Sequence, residues 1–210
     1  MKIVEFTGVP CSGKSTAIVE LSKLGNVEIF SKGWLVKSLG VQSNNELYKT
    51  IVYEFYMLIT GLCSIRIVNL VKFVSSIMSF NESLFFKFNI LRNVIHKYSI
   101  HRHLSNIEED KTIVVDEGIS HIPYLFLGHV EQLKKIDFMV FHQDSKPYVV
   151  KLKIKESDAI KRLKSRGHKR VKLDSEIQEF AKKCYQCSDY QDSILRKYSR
   201  LIRLDSISDL

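Results

Sequence analysis

The sequence predicts an α/β layered fold with a mainly parallel sheet, and three features predict it. Short β-branched runs alternate with helix-periodic stretches, a glycine-containing turn joins the first run to the first helix, and an unbroken apolar run at 112–115 ends in acidic residues. The chain has 210 residues, 45% hydrophobic and 26% charged, with 9 Gly and 3 Pro. That is enough apolar surface for one domain with a full core, and no linker, repeat or shift in composition divides 1–210. Disordered and collagen-like chains are excluded on the same grounds.

Taken in order, Lys2-Ile3-Val4-Glu5-Phe6-Thr7 reads as a strand that ends at Gly8. Residues 15–24 follow as a helix, with Ala17, Ile18, Leu21 and Leu24 at helical spacing and Gly25 as its stop. Residues 27–30 form a second short strand. The stretch 44–106 is helical in character and strongly apolar, two or three helices with breaks near Gly61 and at Ser79-Phe80-Asn81, its apolar rows reading as core faces packed on a sheet. Thr112-Ile113-Val114-Val115 is a buried parallel strand, closed by Asp116-Glu117-Gly118. Residues 136–142 fit a strand or a helix equally. In 149–154, Val150, Leu152 and Ile154 alternate with Lys151 and Lys153, which predicts a strand with one partly wet face. A helix at 157–166, a long amphipathic helix at 174–199 and a last strand at 201–204 complete the pattern.

The sharpest motif is Gly8-Val9-Pro10-Cys11-Ser12-Gly13-Lys14-Ser15, which fills every fixed position of G-x-x-x-x-G-K-[ST] between a strand and a helix. Its glycines let the backbone turn tightly, so that successive N–H groups through Thr16 point inward at phosphate oxygens. The helix that opens there adds its positive end. Lys14 is placed to reach the β- and γ-phosphates of a nucleotide, and Ser15 to ligate Mg²⁺. Asp116 ends a central strand at the sheet edge where ligands bind in open α/β folds, which makes it a second candidate metal ligand. Glu117 is a candidate contact or proton acceptor for an acceptor group.

A basic segment, 161–172, contains Arg162 and Arg166 four residues apart on one helix face, with Arg170 beyond Gly167. Beside a phosphate loop these guanidinium groups read as a closing lid that stabilises a phosphoryl group in transit and excludes water. Without the loop they would read as a solvated face or a nucleic-acid patch.

These segments together resemble the nucleoside and nucleotide kinase group of P-loop kinases, closest in layout to thymidylate-kinase-like proteins. The resemblance rests on residues 6–16, on Val114-Val115-Asp116-Glu117-Gly118, on the run from Pro147 through Glu156 to Arg162 and Arg166, and on Leu201-Ile202-Arg203-Leu204-Asp205. It implies a three-layer fold with a five-stranded parallel sheet, ATP with Mg²⁺, an arginine-bearing lid and an acceptor site under the middle helices. The chain departs from the group at Asp116-Glu117, where Asp-Arg is usual. It departs again after the second strand, where Ser31-Lys32-Gly33-Trp34 offers no carboxylate and only Glu28 lies near. A phosphate acceptor would call on cations such as Lys32 or Arg92, a hydroxyl acceptor on Glu117 or Asp116, and the sequence leaves both open.

The reading is therefore ATP- and Mg²⁺-dependent phosphoryl transfer to a small acceptor, a nucleotide or nucleoside first and a sugar or other small hydroxyl compound second. An NTP-dependent switch acting through a partner is an alternative, although no Asn-Lys-x-Asp occurs for guanine. The net charge of +9 keeps a nucleic-acid 5′-end kinase or binding module as another. A homodimer is left open. Charge in Met1-Lys2-Ile3-Val4-Glu5, where a signal peptide needs an apolar run, predicts a cytoplasmic protein. Cys184 and Cys187 read as half-buried helix thiols, and His96, His101 and His103 as a basic helix edge.

Overall fold

The computed structural model describes residues 2–65, 67–107, 111–134, 147–166, 171, 173–198 and 200–204. Among these residues, five strands form one sheet: β1 (Lys2–Thr7), β2 (Val27–Ile29), β3 (Thr112–Asp116), β4 (Tyr148–Leu152) and β5 (Arg200–Leu204), in the order β2-β3-β1-β4-β5. Every pairing is parallel. Central β1 sets Phe6 opposite Asp116 on one side and Val150 on the other, so the loop after β1 and the end of β3 emerge at the same edge.

Side-chain alternation builds a layer on each face of the sheet. Phe6, Val114, Val150 and Leu152 meet Ala17 and Ile18 of α1 (Lys14–Leu21) on one face. Ile3, Ile113 and Val115 meet the opposite layer, made by α2 (Lys32–Ser38), α3 (Glu46–Ser64) and α5 (Leu84–Ser105). A further cluster joins α4 (Ile67–Met78) and α5 to a 3₁₀ turn at Ile119–His121 and to α6 (Ile122–Leu125) and α7 (Val130–Leu133). Finally α8 (Glu156–Arg166) packs on α9 (Asp174–Tyr198) through Leu163, Ile177 and Ala181.

Several expectations need correction. The middle region does not break at Gly61. That residue lies inside α3, where an added Cβ would stand 2.5 Å from both Cγ2 and O of Ile95, so glycine is what lets α3 and α5 approach this closely. The break falls between Ser64 and Ile67, and the second falls after Met78, where Ser83 caps α5 by accepting from the Phe86 amide at 3.2 Å. The apolar rows are only half core, because Ile51, Phe55, Ile67 and Val68 are exposed on the outer faces of α3 and α4. Helix α2 is an addition. Ser31 accepts from the Trp34 amide at 3.0 Å and starts it.

Lys151 overturns the expectation of a wet face on β4. Helix α9 covers that face, and Lys151 is 2% exposed. Its ammonium donates to the Ser188 carbonyl at 2.8 Å and to Asp192 Oδ1 at 2.5 Å. Burial lowers its pKa, and Asp192 resists the shift. Residues 136–142 lie outside the described residues. Among the described residues, no single helix is long and apolar enough to cross a membrane.

Candidate active site

The loop after β1 is shaped by backbone conformations that few side chains tolerate. Gly8 has φ +143°, and a Cβ there would lie 2.5 Å from the Leu152 carbonyl oxygen. Cys11 at φ 64° and Gly13 at φ 98° continue the turn into α1. Pro10, Cys11, Ser12, Gly13, Lys14, Ser15 and Thr16 line a cavity of about 190 Å³, closed on its far sides by Asp116, Glu117 and Arg166. Among the described residues, Ser12 Oγ is buried in the loop with no partner. Lys14, 8% exposed, donates to the Gly8 carbonyl at 3.0 Å and lies 3.6 Å from Glu117 Oε1.

These residues fit a nucleotide's phosphates and a hard cation. A buried hydroxyl without a partner among the described residues, a glycine-shaped turn at the start of α1 and a lysine at the cavity are features that suit an anion. The Ser15 hydroxyl and the Asp116 carboxylate face the same space, and oxygen donors of that kind suit Mg²⁺ that keeps its other ligands on phosphate and water. Among the described residues, no group of three or more His, Cys, Asp or Glu gathers into a preformed metal cage. Partial burial raises the Asp116 pKa, and Glu117 beside it adds to the rise, while Lys14 and Lys97 oppose it.

The two arginines of α8 stand differently. Arg166 lines the cavity, whereas Arg162 Nη1 donates to the Cys11 carbonyl at 3.1 Å and braces the loop from outside. Arg170 lies outside the described residues. The cations expected for a phosphate acceptor are already matched. Lys32 donates to Thr50 Oγ1 at 2.9 Å and faces Glu46 at 3.6 Å, and Arg92 pairs with both carboxylate oxygens of Glu54. His96 joins that pair, 3.3 Å from Glu54 Oε2. Glu28 is also occupied, accepting from Trp34 Nε1 at 2.7 Å and pairing with Lys111 at 3.0 Å.

The sequence reading missed three groups behind the site. Lys97 of α5 donates to the Glu117 carbonyl, and burial lowers its pKa despite Glu117, Glu5 and Asp116 nearby. Glu5, fully buried on β1, pairs with His101 and accepts from the amides of Ile119 at 3.1 Å and Ser120 at 2.8 Å. His121 lies 3.4 Å from Glu117 Oε2. A carboxylate in the middle of an otherwise apolar strand was the available signal for Glu5, and it implied a buried partner. The expected basic helix edge is not an edge. His101 is buried, and His103 meets the Tyr56 hydroxyl at 2.7 Å. Cys184 and Cys187 are both buried, and burial pushes their pKa values up to about 12 and about 11.

No family model matches the chain, and no curated protein does. Solved structures do. A deoxyadenosine kinase from M. mycoides with bound dATP superposes with a TM-score of 0.53 at 18% identity, covering 100% of this chain and 94% of that one. The same enzyme with the products dCMP and a flexible dCDP bound covers 99% of this chain and 94% of its own at 15% identity, also with a TM-score of 0.53. The chain therefore shares the fold of that deoxyadenosine kinase, in an alignment that spans the whole chain.

Proposed function

We propose that the protein is an ATP- and Mg²⁺-dependent kinase that transfers the γ-phosphoryl group to a hydroxyl of a nucleoside. The observation that carries this is the placement of the Glu117 carboxylate 3.6 Å from Lys14 at the phosphate cavity, while Lys32 and Arg92 are held by Glu46 and Glu54. A carboxylate at that point suits an acceptor that must lose a proton. An anionic acceptor would meet repulsion there and find both expected cations already paired. The fold shared with a deoxyadenosine kinase supports a nucleoside as the acceptor class.

In this reading the backbone from Gly8 to Thr16 binds the phosphates, and Lys14 neutralises the transferring group. Ser15 and Asp116 would hold the cation, which when bound would supply charge neutralisation for the phosphates. Glu117 takes the acceptor's hydroxyl proton as its oxygen bonds to phosphorus, and ADP leaves. Arg166 steadies the equatorial oxygens, and Arg162 fixes the loop.

The test is an ATP-consumption screen across nucleosides, nucleoside monophosphates, sugars and 5′-hydroxyl oligonucleotides, with Lys14→Ala as the control. Transfer to one or more nucleosides by the wild type alone is the expected result. Acceptor-independent hydrolysis would favour the switch reading. Transfer to oligonucleotides that weakens steeply with salt would favour a 5′-end kinase.

A further inference from the structure

A line of buried polar groups runs inward from Glu117, and phosphoryl transfer as described above makes no use of it. His121 lies at its outer end, with Nε2 3.4 Å from Glu117 Oε2 and Nδ1 3.5 Å from Thr7 Oγ1. Behind Thr7, Gln191 of α9 donates from Nε2 to Thr7 Oγ1 at 2.7 Å and to the Ser120 carbonyl at 2.5 Å. The Tyr124 hydroxyl donates to Gln191 Oε1 at 3.4 Å. Thr7 is 0% and Gln191 1% exposed, so these groups have each other rather than bulk water.

The direction of the hydrogen bonds follows from the inner end. A carbonyl oxygen can only accept, so the Ser120 contact identifies which end of the Gln191 amide is the NH₂ group. Thr7 Oγ1 accepts from that NH₂ and has one proton to give, which its other neighbour, His121 Nδ1, can accept. A neutral imidazole that accepts at Nδ1 carries its proton on Nε2. That nitrogen is the one 3.4 Å from Glu117 Oε2. Burial, helped by the charges of Lys97 and Lys14, holds the His121 pKa well below its ordinary value, which keeps the ring neutral.

We infer that His121 is a positioning residue whose tautomer is set by Gln191 and Thr7: it donates from Nε2 to one oxygen of Glu117 and so turns the other toward Lys14 and the phosphate cavity. The need for such a device is local. Glu117 stands at φ 57° on a turn with its side chain partly exposed, and Lys97 pins only its backbone carbonyl. Without a donor at Oε2 the carboxylate would rotate among several rotamers, and few of them would face the cavity. The kinetic consequence rests on the kinase reading, but the tautomer does not.

Two measurements on the full chain test the inference. Long-range ¹H–¹⁵N spectra of the imidazoles, with His121→Phe to assign the signal, should show His121 neutral and protonated on Nε2 at pH 7. Thr7→Val, which keeps the shape of the side chain, should shift that signal toward a mixture of tautomers. An Nδ1–H ring or an imidazolium in the wild type overturns the inference. In the kinase assay, His121→Phe should lower kcat about tenfold with KM for ATP changed less than about twofold, and His121→Gln, whose amide can still donate, should recover most of that loss. Wild-type kcat in His121→Phe, or equal damage to kcat and KM with no rescue by glutamine, overturns it as well. If the wild type transfers phosphate to no acceptor, the kinase reading falls and the tautomer measurement alone decides the inference.

Discussion

Glu5 is a carboxylate where a buried parallel strand calls for an aliphatic side chain, and its surroundings explain how it is tolerated. Burial alone would raise its pKa. The charge and hydrogen bond of His101, with the amide of Ser120, outweigh burial and hold it at about 2 against an ordinary 4.5. A carboxylate depressed in this way stabilises the fold at pH values above its unfolded pKa, and that contribution is lost as pH falls from about 4.5 to about 2. The shift corresponds to about 3 kcal/mol as an upper figure. Urea unfolding of the wild type should therefore show a midpoint that drops across this window, and Glu5→Gln should be less stable at pH 6 and flatter with pH. Gly118 belongs to the same arrangement, since a Cβ there would overlap the Glu5 carboxyl. Gly118→Ala should cost about 2 kcal/mol or more, read from the same unfolding curves. The glycine that closes Asp116-Glu117-Gly118 is thus explained by a side chain 113 positions earlier, a relation that no local pattern contains.

Among the elements, α8 and α3 give the sharpest tests. Helix α8 directs its two arginines to different tasks, although both were read from sequence as one lid. Arg162→Ala should weaken ATP binding, because the Cys11 carbonyl loses its brace, with a smaller effect on turnover of the bound complex. Arg166→Ala should do the reverse, lowering kcat about tenfold or more with little change in affinity. Calorimetry and steady-state kinetics on the two variants separate these outcomes. In α3, Gly61→Ala should cost about 1–3 kcal/mol through overpacking against Ile95, measured by thermal or urea unfolding. An isolated glycine in an apolar helical pattern reads as a break because its local cost is that of a poor helix former. Here the gain from close helix packing exceeds that cost.

On the scale of the molecule, the order β2-β3-β1-β4-β5 puts the loop after β1 and the end of β3 side by side at the carboxyl edge of the sheet. Ligand that binds only the folded chain stabilises it by mass action, so ATP with Mg²⁺ should raise the melting temperature of the wild type by several degrees and leave Lys14→Ala unmoved. Residues 8–16, the strands and the acidic end of β3 were legible beforehand, because tight turns, strand alternation and helix periodicity are short-range constraints written into neighbouring residues. The wet face assigned to β4 was misread for the opposite reason. Lys151 is buried by a helix some forty positions later, and its partner Asp192 lies on that helix. The fate of the cations was equally hidden, since Arg92 meets Glu54 only because α3 and α5 pack together. By itself the sequence determined the glycine-shaped turn after β1 and the layered parallel sheet, whose rules act over a few bonds. Only the tertiary structure decided which charges are neutralised, which histidines are buried and which carboxylate faces Lys14, because those depend on contacts between segments far apart in the chain.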